Sequence, residues 1–409
     1  MASKNTFLTL FSTTCIIGKI FFTSPELFAQ EPQIQINVQA FENWKEEFKK
    51  EALQKGVEKS LLNRVLPDLK LLDNVLKSDR KQSEFLLTFW DYTNRTLSES
   101  RIKKGREILL KYQAFLDSVS KMYGVDKHYL VAFWGLETNY GLFKGKIKTL
   151  DALATLSFDK RRRRFFTNEL ITLLKIMQNG EETEFYGSWA GAFGNFQFMP
   201  TTYAAYAVDA DGDGNKDIIN SLPDAFSSAA NYLSKMGWDE THPWGREVTL
   251  FKNVNWNKIT AQPKRPVKEW IKLGVKPLQK ISSSEREVEA RLVMPMGING
   301  PKFLTYPNYD KIMRWNNSSL YALSVGLLAN MLKEEDFQIK AKKVQTKISR
   351  NDIEFIQSKL ISTGHYKGKV DGVLGFNTKQ GIRAYQKARK LPQDGYPSNK
   401  LIQKLKREK

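Results

Sequence analysis

Residues 187–203 run GSWAGAFGNFQFMPTTY, a stretch with no charged side chain and with Gly187, Gly191 and Gly194 set among Trp189, Phe193, Phe196 and Phe198. Glycines at this spacing let a backbone turn sharply or approach a neighbour closely, so the stretch predicts an irregular, tightly packed segment. Ser188, Asn195 and Gln197 place neutral hydrogen-bonding groups among the rings. Aromatic faces beside neutral donors are the chemistry of a sugar-binding cleft. The alternative is a tight turn that packs beneath a helix.

Upstream, residues 131–141 read VAFWGLETNYG. Asp126, after Gly124, is placed to cap a helix whose Leu130, Val131, Phe133, Trp134 and Leu136 predict burial, and Gly141 ends it. Glu137 falls at the C-terminal end of this apolar run. Apolar surroundings and the negative end of the helix dipole both favour the protonated acid, so the position predicts a raised pKa and a general acid. The alternative is a helix-end Glu that tilts into solvent or pairs with a nearby Lys or Arg.

Other chemistries find little support. His128, His242 and His365, the three histidines, are far apart, which argues against a His-based metal site or a Ser-His-Asp triad. No Walker loop or dinucleotide fingerprint is present. The net charge of +20 favours polyanionic partners. No zinc-finger, RNP or helix-turn-helix signature accompanies it, so nucleic acid is not expected. A chain of 409 residues has room for two or three domains. Its one cysteine, Cys15, lies within residues 1–29, which read as a secretory signal: Lys4, the apolar FLTLFSTTCIIG and a cleavage point after Ala29. The uncharged run is too short for a stable membrane span, and Ser12-Thr13-Thr14-Cys15 is a poor lipidation box, so a periplasmic protein is expected.

Apolar spacing of three and four predicts helices through residues 38–125, and the character of 246–300 suggests a small β-containing insertion. Arg161–Arg164 precede an amphipathic helix and read as a solvated face, with a place near acidic peptides as the sharper alternative. Asp209, Asp211, Asp213 and Asn215 alternate around Gly214 as in the first half of an EF-hand loop, although the twelfth position is Asn220 rather than Glu. A calcium site and a metal-free Asp-rich turn both answer to this pattern. Residues 348–409 contain two similar halves, each with an Asp-Gly turn (Asp371-Gly372, Asp394-Gly395), then a capping residue, Asn377 or Ser398, and a helix.

Taken in order, FWGLETNYG, LDALATLSFD and GSWAGAFGNFQFMPTTYAAYAVD resemble the soluble lytic transglycosylase B family across residues 38–335, and 348–409 resemble a small peptidoglycan-binding module. The resemblance implies a mainly α, α+β fold. It comprises a lysozyme-like core with a helical N-terminal part, a small β-containing insertion, a linker over 336–347 and a separate three-helix C-terminal module. It implies cleavage of the β-1,4 bond between N-acetylmuramic acid and N-acetylglucosamine by a single acid/base, Glu137, leaving 1,6-anhydro ends. Tyr92, in the turn before Ser98, would line the cleft with Tyr232, Trp315, Asn316 and Tyr321, while Ser188 and Gln197 position the acetamido group or Glu137. The family carries Tyr where this chain has Trp315; either ring can stack on a sugar. No cofactor is implied for the chemistry. A structural calcium would be held by Asp209, Asp211, Asp213, Asn215 and a later acid, Asp224. Peptidoglycan glycan strands are the expected partner of a monomer, with cell-wall synthesis or division proteins as candidate recruiters. The rivals are a hydrolytic muramidase and a non-catalytic wall-binding protein.

Overall fold

A computed structural model describes residues 37–80, 87–180, 184–259, 264–341, 343 and 348–408. The expected secretory signal, Cys15 included, lies outside the described residues. The chain begins with α1 (Val38–Gln54), whose first turn is capped by Asn37: its side chain accepts from the Ala40 amide at 2.8 Å. The apolar pattern that follows divides at Pro67 into α2 (Lys59–Val65) and α3 (Asp73–Arg80), because proline cannot continue a helix. Next come α4 (Phe89–Thr96), α5 (Glu99–Lys111) and α6 (Gln113–Tyr123). Tyr92 is therefore inside α4 and not in a turn; Thr88 caps that helix, and Ser98 starts the next one.

The helix α7 (Lys127–Thr138) is apolar all round, as a helix buried on every side must be. After it come β1 (Ile147–Lys148), α8 (Thr149–Phe158), α9 (Arg163–Gln178), β2 (Tyr186–Gly187), α10 (Pro200–Tyr206) and α11 (Leu222–Lys235), while α5, α6 and α11 pack on α7 itself. The short strands pair antiparallel, Ile147 opposite Gly187. The β-containing insertion comprises β3 (Gly245–Leu250), α12 (Trp256–Ile259), β4 (Arg265–Pro266), α13 (Val267–Lys272), β5 (Val275–Pro277), α14 (Ser283–Glu287), β6 (Glu289–Val293) and β7 (Phe303–Thr305). Its strands form an antiparallel sheet in the order β4-β6-β7-β3-β5 over a small core of its own, including Val248, Trp270, Leu304 and Tyr306. The chain then returns to the main core through α15 (Pro307–Trp315) and α16 (Ser319–Lys333).

The stretch expected as a linker is strapped down where it is described. The buried carboxylate of Glu247 accepts from the amides of Lys340 and Ala341 at 2.9 and 2.8 Å, and Phe337 and Ile339 pack on the main core. Beyond it, α17 (Arg350–Ser362), α18 (Phe376–Ala388) and α19 (Asn399–Arg407) enclose a separate core of Ile353, Ile356, Leu360, Ile382, Tyr385 and Leu405. Both Asp-Gly turns are present, with Gly372 at φ 68° and Gly395 at φ 69°. Each is clamped by a glutamine from the preceding helix: the Gln357 amide donates to Asp371 and the Gln386 amide to Asp394, both at 2.7 Å. Ser398 caps α19 as expected, but Asn377 does not cap α18. That helix starts two residues earlier than such a cap requires, with Gly375 at its cap, so Asn377 already lies within the first turn. The second turn also holds the module in place: the Ile298 amide donates to Asp394 Oδ2 at 2.9 Å, and Tyr396 packs against the main core.

Candidate active site

The end of α7 is built to stop abruptly. Asn139, Tyr140 and Gly141 have φ of 50°, 62° and 81°, three left-handed residues in succession. Two of them are not glycine, and such backbone costs on the order of 1–3 kcal/mol per residue unless its surroundings hold it. Tyr140 is the holder: its hydroxyl donates to the Arg101 carbonyl at 2.8 Å. Its ring lies against the bare Cα of Gly135, where a Cβ would come within 2.8 Å. The helix thus ends one residue past Glu137, leaving that half-buried carboxylate on its rim.

Tyr321, in the first turn of α16 and only 4% exposed, donates its hydroxyl to Glu137 Oε1. Burial and the neighbouring Glu137 carboxylate push the phenol well above its ordinary pKa, so it remains a donor at any physiological pH. Tyr92 also acts on Tyr321 electrostatically and is buried beside it. Three predicted site residues on three different helices are therefore one cluster.

The glycine-punctuated stretch docks against the same helix end. Phe193 and Phe198 exchange backbone hydrogen bonds at 2.9 Å, closing a tight loop. Gly191, at φ 85°, lies where a Cβ would meet the Leu153 side chain at 2.4 Å. Asn195, read from sequence as a cleft donor, is instead 3% exposed and structural. Its Oδ1 accepts from Trp134 Nε1 at 3.0 Å, and its Nδ2 donates to the carbonyls of Ile218 and Ile219 at 3.1 and 2.9 Å. Thr138, next to Glu137, donates to the Asn195 carbonyl at 2.9 Å. Gln197, two residues further, takes a left-handed φ of 50° and gives its amide to the carbonyls of Lys144 and Gly194, both at 3.0 Å. Its NH₂ is thereby anchored and its carbonyl oxygen is the remaining polar end. Ser188 serves the loop itself: its hydroxyl accepts from the Ala192 amide at 3.1 Å.

Trp315 closes α15 and sits half-buried among rings, 4.5 Å from Phe133, 5.4 Å from Phe198 and 5.0 Å from Tyr232. Tyr232 packs in turn on Tyr206 at 4.9 Å. Phe133 also lies 6.3 Å from Tyr321, so it joins this aromatic wall to the Glu137 cluster. Asn316 is exposed beside Trp315.

The acidic loop holds the expected ligands in two settings, exposed and buried. Carboxylate oxygens of Asp209, Asp211 and Asp213 lie within 4.8 Å of one another and are exposed. Asn215 donates its backbone amide to Asp213 at 2.7 Å. Asp224 is fully buried beside them: its two oxygens accept from the amides of Ala210 and Asp217 at 2.7 and 2.8 Å, and the Asp211 carboxylate acts on it electrostatically. It clasps the loop across its neck, which is why an acid follows at that distance in sequence.

Comparison with known proteins agrees with this geometry. Residues 40–330 match the transglycosylase SLT domain and residues 349–405 a peptidoglycan binding domain. Membrane-bound lytic murein transglycosylase B of Escherichia coli (strain K12) is 30% identical over 284 residues, 66% of this chain and 77% of that protein. The crystal structure of SltB3 from Pseudomonas aeruginosa in complex with NAG-anhNAM-pentapeptide matches at a TM-score of 0.83 and 37% identity, covering 90% of this chain and 100% of that one. The Escherichia coli lytic transglycosylase Slt35 in complex with calcium matches at a TM-score of 0.60 and 28% identity, covering 71% of this chain and 92% of that one. A rim carboxylate gripped by a buried phenol, a glycine-rich loop sewn to the same helix end and these matches together make the chain a member of the transglycosylase SLT family, a peptidoglycan lytic transglycosylase.

Proposed function

We propose that Glu137 alone carries out both proton transfers in cleaving the β-1,4 bond between N-acetylmuramic acid and N-acetylglucosamine. The observation that carries this reading is the Glu137–Tyr321 pair beside the Gln197 loop. As an acid, Glu137 gives its proton to the glycosidic oxygen while the C1–O bond breaks. Ordinary glycosidases then need a second carboxylate, but a 2-acetamido sugar can supply its own carbonyl oxygen to C1. The three aspartates of the acidic loop gather on one another, which fits them for a cation rather than for this step. Glu137, now ionised, takes the proton of the muramic acid 6-hydroxyl, whose oxygen attacks C1 and displaces the acetamido oxygen. The product is the 1,6-anhydro sugar, no water is consumed, and Glu137 ends protonated as it began. Closure onto the same ring has the advantage of an intramolecular reaction. The anhydro ligand in the SltB3 complex supports the same product here.

Tyr321 steadies the ionised form between the two steps and fixes the carboxylate's direction. Gln197 offers its carbonyl oxygen to the acetamido N–H, and Trp315 and Tyr232 form an aromatic wall for the sugars. Digestion of purified sacculi tests the product: anhydro ends support the proposal, and ends heavier by one water establish the hydrolytic rival. Tyr321→Phe should lower kcat about tenfold, the loss of one hydrogen bond to a charged group. The carboxylate limb of its pH–rate profile should move to higher pH, because the charged form has lost a donor. An unchanged profile would remove Tyr321 from this role.

Asp209, Asp211 and Asp213 would hold a calcium ion, a hard cation suited to converging carboxylates. The calcium complex of Slt35 supports this assignment. The ion's part is structural: it would neutralise three adjacent negative charges. Calcium at 100 times its dissociation constant should stabilise the protein by about 2.7 kcal/mol. That shift should vanish in Asp211→Asn/Asp213→Asn; a melting temperature indifferent to calcium would count against the site. Export to the periplasm through residues 1–29 belongs to the same proposal. No helix among the described residues is long and apolar enough to cross a membrane.

A further inference from the structure

The C-terminal module carries the same turn twice and uses it once. Around Asp371 and around Asp394 the hydrogen bonds coincide. Gln357 Nε2 and Gln386 Nε2 donate to the aspartate Oδ1 at 2.7 Å, and their Oε1 atoms accept from the Gly372 and Gly395 amides at 2.9 Å. The amides of Val373 and Tyr396 complete each turn, donating to the same Oδ1 at 2.9 and 3.0 Å. The difference lies at Oδ2. That of Asp394 accepts from the Ile298 amide at 2.9 Å, whereas that of Asp371 accepts from no other residue among the described ones. Beside it Val370, Val373 and Phe376 leave large apolar side chains exposed, Phe376 by 66%. A carboxylate oxygen with apolar neighbours and no donor of its own is a place for an N–H on a partly apolar ligand.

The occupied turn shows what such a ligand must look like. The residue before Ile298 is Gly297, at φ 66°. A Cβ on it would come within 2.6 Å of Asp394 Oδ2 and 2.7 Å of Tyr396 Cβ. The turn thus takes an N–H that follows a residue of positive φ with no L side chain. Glycine meets this condition because it lacks a Cβ. A D-residue meets it as well, because positive φ is its unstrained range and its Cβ stands on the opposite side of Cα. Val373 carries a Cβ as Tyr396 does, so the free turn imposes the same condition. A second copy of the chain has no such amide to offer at Ile298, where its own Asp394 is bound. An anionic lipid would bring negative charge to a carboxylate. A peptidoglycan stem ending D-Ala-D-Ala has the required chemistry: an amide N–H follows a D-residue, and methyl groups flank it.

We propose that the Asp371 turn is a ligand site of the module, and that its free oxygen takes the amide joining the two D-alanines of a peptidoglycan stem. The identity of the ligand rests on the peptidoglycan substrate given under Proposed function; Glu137 has no part in the contact. The test is calorimetric titration of the full-length chain with diacetyl-L-Lys-D-Ala-D-Ala. Two analogues are titrated beside it: diacetyl-L-Lys-D-Ala-D-lactate, which replaces that one N–H by an ester oxygen, and the L-Ala-L-Ala isomer. Each should bind at least about tenfold more weakly, the first through loss of a hydrogen bond to a charged group. Asp371→Asn keeps an oxygen for Gln357 and Val373 but turns an NH₂ toward the ligand. It should lose as much affinity for the D-Ala-D-Ala peptide, with an unchanged melting temperature. Asp394→Asn should leave that affinity alone, because its Oδ2 already serves Ile298. The proposal is overturned if the wild-type chain has no affinity for the D-Ala-D-Ala peptide, or if either analogue or Asp371→Asn matches it. Equal losses in Asp371→Asn and Asp394→Asn overturn it too, since they would mark a general loosening of the module. No glycan is present, so a wrong role for Glu137 would leave this result untouched.

Discussion

Glu137→Gln is expected to lower glycan cleavage by about 10³-fold, within the range a positioned acid–base group contributes. The substitution keeps the shape of the side chain, and an amide oxygen can still accept from the Tyr321 hydroxyl. Folding should therefore survive, with an unaltered melting temperature. What is lost is the proton: an amide cannot give one to the leaving oxygen, nor take one from the 6-hydroxyl. Because the same group serves both steps, no partial reaction should accumulate. Purified variant on sacculi, scored by release of soluble muropeptides, is the measurement. Undiminished lysis would mean that another group carries the reaction.

Asn195→Ala should cost about 3 kcal/mol of stability, the consequence of orphaning a buried donor and leaving a small void. The donor is Trp134 Nε1, whose partner in the structure is Asn195 Oδ1. The two carbonyls on the other side suffer less. Ile218 keeps the Asn195 amide and Ile219 keeps Lys144 Nζ at 2.7 Å. Asn195→Asp should be at least as damaging, since it turns an oxygen toward those two carbonyls. Urea unfolding of each variant gives the number, and a loss below about 1 kcal/mol would show that the loop does not rely on this residue. Activity should fall as well, because the same side chain joins the Gln197 loop to the helix that ends at Glu137.

These two residues also mark how far the sequence could be read. The place of Glu137 at the rim of a buried helix was legible because an acid at the end of an apolar run conflicts with its surroundings, and such conflicts gather at functional sites. The three-helix module was legible because its Asp-Gly turns repeat, and the insertion because its composition shifts. Asn195 looked like a cleft donor because its neighbours are aromatic; only the fold reveals that Trp134, 61 residues away, takes its oxygen. Tyr321 reaches Glu137 over 184 residues, a pairing that periodicity cannot register, although the resemblance placed both at the site. Asp224 was expected with the other aspartates from the resemblance; what the sequence did not register is that it is buried and accepts from two loop amides. Gln357 and Gln386 went unnoticed, though each precedes an Asp-Gly turn in the two related halves, a signal available to anyone aligning the halves.

The second of those turns determines how the ends of this molecule work together. Asp394 spends one oxygen on its own module, through Gln386, and the other on Ile298 of the insertion. A module fastened in this way is docked and not merely tethered. The contact through Asp394 and Tyr396 gives the module a defined seat beside the insertion, so that whatever it holds is held at one place relative to the main core.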